Sequence, residues 1–212
     1  MNAEAFIANN TVWQRHPMVP EIELALASEI TPIWQATESW LAQGGVSPPF
    51  WAFAWPGSAA LARHILDHAS LVAGRRVLDF AAGCGLAGIA AARSGAGSVD
   101  AAEIDALAIA AIARNAGRNG VALTTLQGDI VGEANRWDLI LCGDVCYEAP
   151  MTRHILPWLQ SLARDAEVWV ADPGRAYVPR DGLEPFAVYR VPTTRELEDH
   201  EFRTTVLSRM AA

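Results

Sequence analysis

The chain has 212 residues, of which 51% are hydrophobic, and this suits one α/β domain with an additional N-terminal segment. Its formal net charge at pH 7 is −8, with 24 acidic and 16 basic residues, and every basic residue is an arginine. The basic residues do not cluster along the chain into a basic face, which argues against a nucleic-acid partner. No apolar run approaches the ~20 residues of a membrane span. The first ten residues lack the features of a signal or transit peptide, so we expect a cytoplasmic protein with no membrane partner.

The three cysteines are Cys84, Cys142 and Cys146, each in or beside an apolar, strand-like stretch. An odd number placed in this way argues against a disulfide framework. The chain also has no CxxC pattern and no paired histidines at zinc-binding spacing. We therefore expect no metal site.

The N-terminal region carries scattered apolar positions that predict one or two helices over residues 21–42. Two turn signals, Gly44-Gly45 and Pro48-Pro49, end that region. We therefore predict a helical segment at 1–48 that packs on a main domain at 49–212. A helix over Ala59–His68 follows, with Ser58 as its predicted cap.

From Arg75 onward, short apolar strands alternate with helices, and this pattern predicts a parallel sheet covered on both faces. The predicted strands are Arg76–Phe80, Ser98–Glu103, Leu123–Gln127, Trp137–Gly143 and Ala166–Asp172. The predicted helices are Leu86–Ser94, Ala106–Arg118 and Met151–Ala163. The final thirty residues differ, because Leu183–Val191 and Phe202–Arg209 read as two strands without a helical crossover of the usual length, and such strands are most easily antiparallel.

A turn of small residues follows the first strand of this α/β region, with glycines at Gly83, Gly85 and Gly88. Small residues let the backbone approach a ligand closely, and the turn opens a helix. Glu103 lies twenty residues beyond Gly83, at the end of the next strand, where its carboxylate can accept hydrogen bonds from ribose hydroxyls. The glycines also match the GxGxxG pattern of NAD-binding proteins, so the turn by itself leaves both NAD and S-adenosylmethionine (SAM) open.

Three features favour SAM as the cofactor. Asp79 precedes the turn, where a carboxylate suits a cationic amino-acid ligand and would repel a pyrophosphate. Asp129 and Ile130 follow the third strand, where an acid can meet the adenine amino group and an apolar residue can pack on the ring. The predicted C-terminal hairpin departs from dehydrogenase topology. The sequence therefore predicts a Rossmann-like, class I SAM-dependent methyltransferase fold: a seven-stranded, mostly parallel sheet with a C-terminal antiparallel hairpin.

The fourth strand ends in Gly143 and is followed by Asp144, Tyr147 and Glu148. Because the carboxyl ends of the strands face the ligand crevice, these polar groups are expected near the reacting sulfonium. The segment has neither the Asn/Asp-Pro-Pro-Tyr pattern of base amino methylation nor a Cys-rich motif for cytosine carbon chemistry. The aromatic residues of the preceding segment are candidates for an apolar substrate channel: Phe50, Trp51, Phe53 and Trp55.

Three segments together resemble the seven-beta-strand protein-lysine methyltransferases, and among them the electron transfer flavoprotein β-subunit group. They are Pro49–Gly57, the turn from Gly83 to Gly88, and Gly143–Glu148. The resemblance implies that Trp55, Gly57, Ala81, Gly83 and Gly143 contact SAM, that Glu103 binds its ribose, and that Asp129 and Ile130 bind its adenine. It also implies that Asp144 and Tyr147 face the incoming amine. Ala81 and Cys146 depart from the family pattern.

The resemblance implies a lysine N-methyltransferase with a protein substrate, such as the flavoprotein β subunit. Three alternatives remain open at this stage: a small-molecule N-methyltransferase of the nicotinamide type, a non-catalytic nucleotide-binding module and an NAD oxidoreductase. The sequence makes no prediction of the oligomeric state.

Overall fold

The chain folds as an α/β layer structure around a seven-stranded sheet, in a computed structural model that describes residues 2–28, 32–33 and 48–212. The helices are α1 (Ala3–Asn10), α2 (Pro56–Asp67), α3 (Leu86–Arg93), α4 (Ala106–Arg118), α5 (Ala149–Leu162) and α6 (Arg195–Glu198). The strands are β1 (Val12–His16), β2 (Val19–Leu26), β3 (Arg76–Phe80), β4 (Ser98–Glu103), β5 (Thr124–Gln127), β6 (Leu139–Gly143), β7 (Glu167–Asp172), β8 (Leu183–Pro192) and β9 (Phe202–Met210).

The seven strands of the main sheet run in the order β5-β4-β3-β6-β7-β9-β8. The five strands from β3 to β7 are mutually parallel, whereas β9 is antiparallel to both of its neighbours, β7 and β8. This confirms the predicted parallel sheet with a C-terminal antiparallel hairpin. The carboxyl ends of the parallel strands meet at one edge of the sheet, which is where polar residues accumulate.

Both faces of the sheet are buried, as the residues of β6 illustrate. Leu139 and Leu141 belong to the cluster that contains the apolar side chains of α2 and α3. Ile140 and Cys142 point the opposite way, into the cluster formed with α5. Because successive strand residues face opposite layers and both layers are apolar, the strand reads as an unbroken hydrophobic run.

Helix α2 begins three residues before its predicted start at Ala59. Pro56 occupies the first turn, where its missing N–H costs nothing and its φ is already helical. The prediction that Ser58 caps this helix is wrong. Its hydroxyl donates to the carbonyl of Trp55 at 2.9 Å and caps no N–H of the helix. A residue distant in sequence caps the helix instead: the Gly57 N–H donates to the carboxylate of Asp144.

The prediction of helix over residues 21–42 is wrong for its first part, since 21–26 belong to β2, which pairs with β1 in an antiparallel hairpin. Ile22 and Leu24 are two residues apart and both are fully buried in the main core, which is the period of a strand. The rest of the predicted helical region lies largely outside the described residues. The domain boundary at residue 48 stays a prediction.

No helix in the described part of the chain is long and apolar enough to cross a bilayer. The cytoplasmic location itself stays a prediction. The three cysteines are free and buried, in keeping with their apolar surroundings.

Candidate active site

A cavity of about 710 Å³ opens at the carboxyl ends of the parallel strands. This is the edge at which open α/β sheets bind their ligands. Ten of the thirteen predicted site residues line it. They are Trp55, Ala81, Gly83, Glu103, Asp129, Ile130, Gly143, Asp144, Tyr147 and Glu148. The other three, Gly57, Asp79 and Gly85, lie outside the wall for separate physical reasons.

The glycine turn crosses the left-handed backbone region three times. Ala81, Gly83 and Gly85 have φ values of 53°, 55° and 79°. A Cβ at Gly83 would meet nothing within 4 Å, so its backbone faces open space in the cavity. A Cβ at Gly85 would instead lie 3.3 Å from the side chain of Ile112. Gly85 therefore packs the turn against α4 and does not contact the cavity.

Asp79 lies behind the turn, where the sequence had predicted a contact with the cationic end of the cofactor. It shares a face of β3 with Val77, toward α3, because strand side chains alternate. Its Oδ2 accepts the N–H of Gly88 in α3 at 2.8 Å, and the side chain is buried. Burial raises the pKa of Asp79 to about 7, partly offset by the Gly88 hydrogen bond. Asp79 thus anchors the helix that follows the turn.

Replacing Asp79 with asparagine should stabilise the protein increasingly as the pH rises. The folded state holds a proton on Asp79 more tightly than the unfolded chain does, so the parent loses stability as the pH increases from about 4 to about 7. Asp79→Asn cannot ionise, and its oxygen can still accept the Gly88 N–H. Its stability advantage should grow by about 2–3 kcal/mol between pH 5 and pH 8 in urea unfolding. A pH-independent difference would contradict the buried, proton-binding state of Asp79.

Glu103 joins the end of β4 to the glycine turn. Its Oε2 accepts the N–H of Gly83 at 3.2 Å and its Oε1 accepts the N–H of Ile104 at 2.9 Å. Burial raises its pKa, and these two backbone hydrogen bonds oppose the shift. A carboxylate has about four acceptor positions, so Glu103 keeps capacity for hydroxyl donors from the cavity.

Asp129 and Ile130 form the wall beyond β5. Oδ1 of Asp129 accepts the N–H of Val131 at 3.0 Å, and its Oδ2 lies 2.7 Å from Nε2 of His154. The Val131 hydrogen bond lowers the pKa of Asp129, and His154 adds to that shift. Ile130 is only 5% exposed and presents an apolar surface, while Ile104 at the rim is 66% exposed.

The Asp144 carboxylate is buried, and both of its oxygens have partners. Oδ2 accepts the N–H of Gly57 at the start of α2, and Oδ1 accepts Nε and Nη2 of Arg175 at 3.0 and 2.7 Å. Burial raises the pKa of Asp144 to about 6, although Arg175 and Gly57 oppose the shift. Its backbone lies in the left-handed region, with a φ of 56°.

Gly57 lies beneath the wall because α2 and β6 approach each other too closely for a side chain. A Cβ at Gly57 would stand 2.6 Å from both the carbonyl oxygen of Ala171 and the N of Asp144. A Cβ at Gly143 would stand 2.8 Å from the N of Ser58. The two glycines allow the contact that joins the helix start to Asp144.

Aromatic residues cover the cavity beside Tyr147. The ring of Phe50 lies 5.3 Å from that of Tyr147 and 5.9 Å from that of Trp55. Trp51 also lines the cavity, whereas Phe53 packs in the core cluster with Phe6 and does not. Burial raises the pKa of the Tyr147 phenol to about 12, so it carries its proton at neutral pH. Glu148 is exposed at the rim.

The sequence prediction missed Arg175, which lines the cavity and binds Asp144. It follows β7 in the turn after Asp172, and the rule that strand ends line the crevice could have found it. His154 of α5 and the rim residue Ile104 were also missed. Neither belongs to a local motif that would have indicated it.

Comparisons with known proteins agree on the enzyme class. The family model for the methyltransferase small domain matches residues 54–143. A Danio rerio protein named electron transfer flavoprotein beta subunit lysine methyltransferase is 34% identical over 214 residues, covering 96% of this chain and 81% of its own. The Xenopus laevis protein of the same name is 35% identical over 205 residues, covering 92% and 82%.

Solved structures share the fold at lower identity. Magnesium protoporphyrin IX methyltransferase from Synechocystis PCC 6803 with bound SAM aligns with a TM-score of 0.56 and 16% identity, over 86% of this chain and 96% of its own. Ribosomal protein L11 methylase from Lactobacillus delbrueckii subsp. bulgaricus aligns with a TM-score of 0.51 and 20% identity, over 74% and 81%. Together with the identity to the curated relatives, this shows that the chain is a SAM-dependent methyltransferase and belongs to the electron transfer flavoprotein beta subunit lysine methyltransferase family.

Proposed function

We propose that this methyltransferase modifies lysine side chains of the electron transfer flavoprotein β subunit. The Danio rerio and Xenopus laevis relatives carry that activity in their names. The observation that carries the proposal is that Gly83 and Glu103 line the same cavity as Asp144 and Tyr147. A cofactor held at the turn and an amine held beside Asp144 would therefore share one space.

The wall fits SAM by its open backbone and its spare acceptor positions. The backbone of Gly83 is free for close approach by a ligand. Glu103 accepts two backbone N–H groups and keeps acceptor capacity for hydroxyl donors from the cavity. Trp51 and Asp105 also line the cavity. When bound, SAM supplies an electrophilic methyl group on a sulfonium.

We assign the cofactor's parts by the chemistry of the wall. The spare acceptor positions of Glu103 suit ribose hydroxyls, and Ile130 with Asp129 suits the adenine ring and its amino group. The open backbone at Gly83, beside the small Ala81, suits the close approach of the rest of the molecule. Trp55 and Gly143 also line the cavity and are assigned to the same part.

The charges of the cavity favour a cationic substrate. Five carboxylates line it, against the guanidinium of Arg175 and the imidazole of His154. These are Glu103, Asp105, Asp129, Asp144 and Glu148. A lysine ammonium and a sulfonium are both attracted to such a wall. The exposed rim residues Ile104 and Tyr147 leave apolar surface for the neighbours of the lysine in a protein substrate.

Asp144 and Tyr147 are the proposed ligands of the amine. Oδ2 of Asp144 accepts one hydrogen bond, from Gly57, which leaves an acceptor position for an N–H of the substrate. The Tyr147 hydroxyl stays protonated at neutral pH and can direct the nitrogen lone pair by hydrogen bonding. Alignment of the reacting groups can lower the activation barrier by roughly 7–11 kcal/mol.

The amine must lose a proton before it can attack. For a free lysine at neutral pH this costs roughly 4–5 kcal/mol. Desolvation by the aromatic wall and repulsion by a nearby sulfonium both lower the amine pKa, and together they oppose the carboxylates, which raise it. The exposed carboxylate of Glu148 is the proposed route by which the released proton reaches water.

The test is methyl transfer from radiolabelled SAM to purified electron transfer flavoprotein, with the label mapped by mass spectrometry. The enzyme contains no lysine, so lysyl self-methylation cannot add to the signal. We expect label on lysines of the β subunit. Label found only in a small-molecule fraction of the same cells would keep the enzyme class and discard the protein substrate.

A further inference from the structure

Arg175 contacts Asp144 from the side opposite the start of α2. Its Nε and Nη2 both donate to Oδ1 of Asp144, and its guanidinium carbon lies 5.7 Å from the centre of the Trp55 ring. Arg175 itself lines the cavity. The oxygen that it binds is the one not used by Gly57, so the carboxylate is held at both oxygens.

Two further acids hold Arg175 in turn. Glu198, at the end of α6, accepts Nη2 at 2.5 Å and Nη1 at 3.1 Å. Asp172 accepts the backbone N–H groups of Gly174 and Arg175 through one oxygen, at 2.7 and 2.6 Å. The guanidinium therefore bridges two carboxylates. Its planar, forked set of donors fits this arrangement, whereas a lysine ammonium would not.

The carboxylate of Glu198 is almost completely buried, with its side chain 3% exposed. It lies in the connection between β8 and β9, which is otherwise remote from the glycine turn. Burying a charge is costly unless a partner of opposite charge is buried with it, and Arg175 is that partner for Glu198. The network links the C-terminal hairpin to the acid that lines the reaction cavity.

We propose that Arg175 is a positioning residue for methyl transfer, which holds the Asp144 carboxylate in one orientation and in its charged form, with Glu198 holding Arg175. The inference rests on the proposed role of Asp144 in binding the amine. The charged and titratable groups around Asp144 are Arg175, Asp172 and Cys146, with Glu198 acting through Arg175. Of these, Arg175 alone carries a positive charge.

The charges predict shifts of opposite sign for two substitutions. Arg175→Gln removes the cation and should raise the titration midpoint of Asp144 by about one pH unit or more. Glu198→Gln leaves the cation less neutralised and should lower that midpoint by a few tenths of a unit. Arg175→Lys keeps the charge and loses the fork, so it should leave the midpoint near the parent value while lowering kcat about tenfold or more.

Two experiments measure the titration midpoint of Asp144. The first is the acid limb of the single-turnover methylation rate with the flavoprotein. The second is a ¹³C NMR titration of labelled aspartate carboxyls without substrate, in which the Asp144 signal is identified by its loss in Asp144→Asn. If the flavoprotein is not methylated, the proposed function fails, and the NMR titration still decides the present inference.

Arg203→Gln is the matched control. Nε of Arg203 lies 3.4 Å from Glu198 in the same network, and the side chain has no contact with Asp144. It should lose stability without moving the Asp144 midpoint. The proposal is overturned if Arg175→Gln leaves the midpoint unchanged, or if Arg203→Gln moves it equally.

Discussion

Asp144→Asn is expected to lower kcat at least about 100-fold while the Kd for SAM changes by less than about threefold. The asparagine oxygen can still accept the N–H of Gly57, so the start of α2 keeps its cap. The substitution removes the negative charge that Arg175 binds. The same charge is the one that we propose binds the substrate amine. Positioned general acids and bases contribute typically 10²–10⁴-fold, and we expect the loss of a charged ligand of the amine to lie at the lower end of that range. Single-turnover kinetics and calorimetric SAM titration measure the two effects separately.

Asp144→Ala separates the catalytic role from the structural one. Alanine removes the cap of α2 as well as the charge, and it leaves the Arg175 and Glu198 pair without its second acid. We expect it to lose about 2–4 kcal/mol of stability, beyond the kinetic defect of the asparagine variant. A folded Asp144→Asn protein that binds SAM and methylates at the parent rate would remove Asp144 from the mechanism.

Gly57→Ala is expected to destabilise the protein by about 3 kcal/mol, the second large effect. Its Cβ would lie 2.6 Å from two backbone atoms, the carbonyl oxygen of Ala171 and the N of Asp144. Neither can rotate away as a flexible side chain would, so α2 must shift from β6. The shift would also break the hydrogen bond from Gly57 to Asp144. Urea unfolding gives the stability, and kcat should fall with it.

The control is Gly117→Ala, in the last turn of α4. A Cβ there would meet nothing within 4 Å, and the backbone does not have a positive φ. Alanine is the better helix former, so this variant should gain roughly 0.5–1 kcal/mol. Equal stability of Gly57→Ala and the parent would mean that the close approach of α2 to β6 is not needed.

The α/β core was predictable because its signals are local. Strand β4 and helix α4 have the predicted bounds, since an apolar run of strand length and an amphipathic helix of period 3.6 each carry their own pattern. The N-terminal strand β2 was mistaken for a helix, although Ile22 and Leu24 alternate with Glu21 and Glu23. Pairing with β1 stabilises this segment as a strand. A search for apolar residues at helical spacing does not detect that pairing.

The sequence by itself determined the order of the strands and helices in the α/β core from Arg76 to Asp172, the glycine turn and the acids that follow the strands, because each depends on residues close together in the chain. Tertiary structure decided what those acids do. Asp79 turns toward α3, and Asp144 meets Gly57 from 87 residues away and Arg175 from 31. These partners come within hydrogen-bonding distance only because α2 packs against β6 and the C-terminal connection packs against the cavity. The physical reason is that a buried charge without a partner is too costly, so the fold must bring a partner to it.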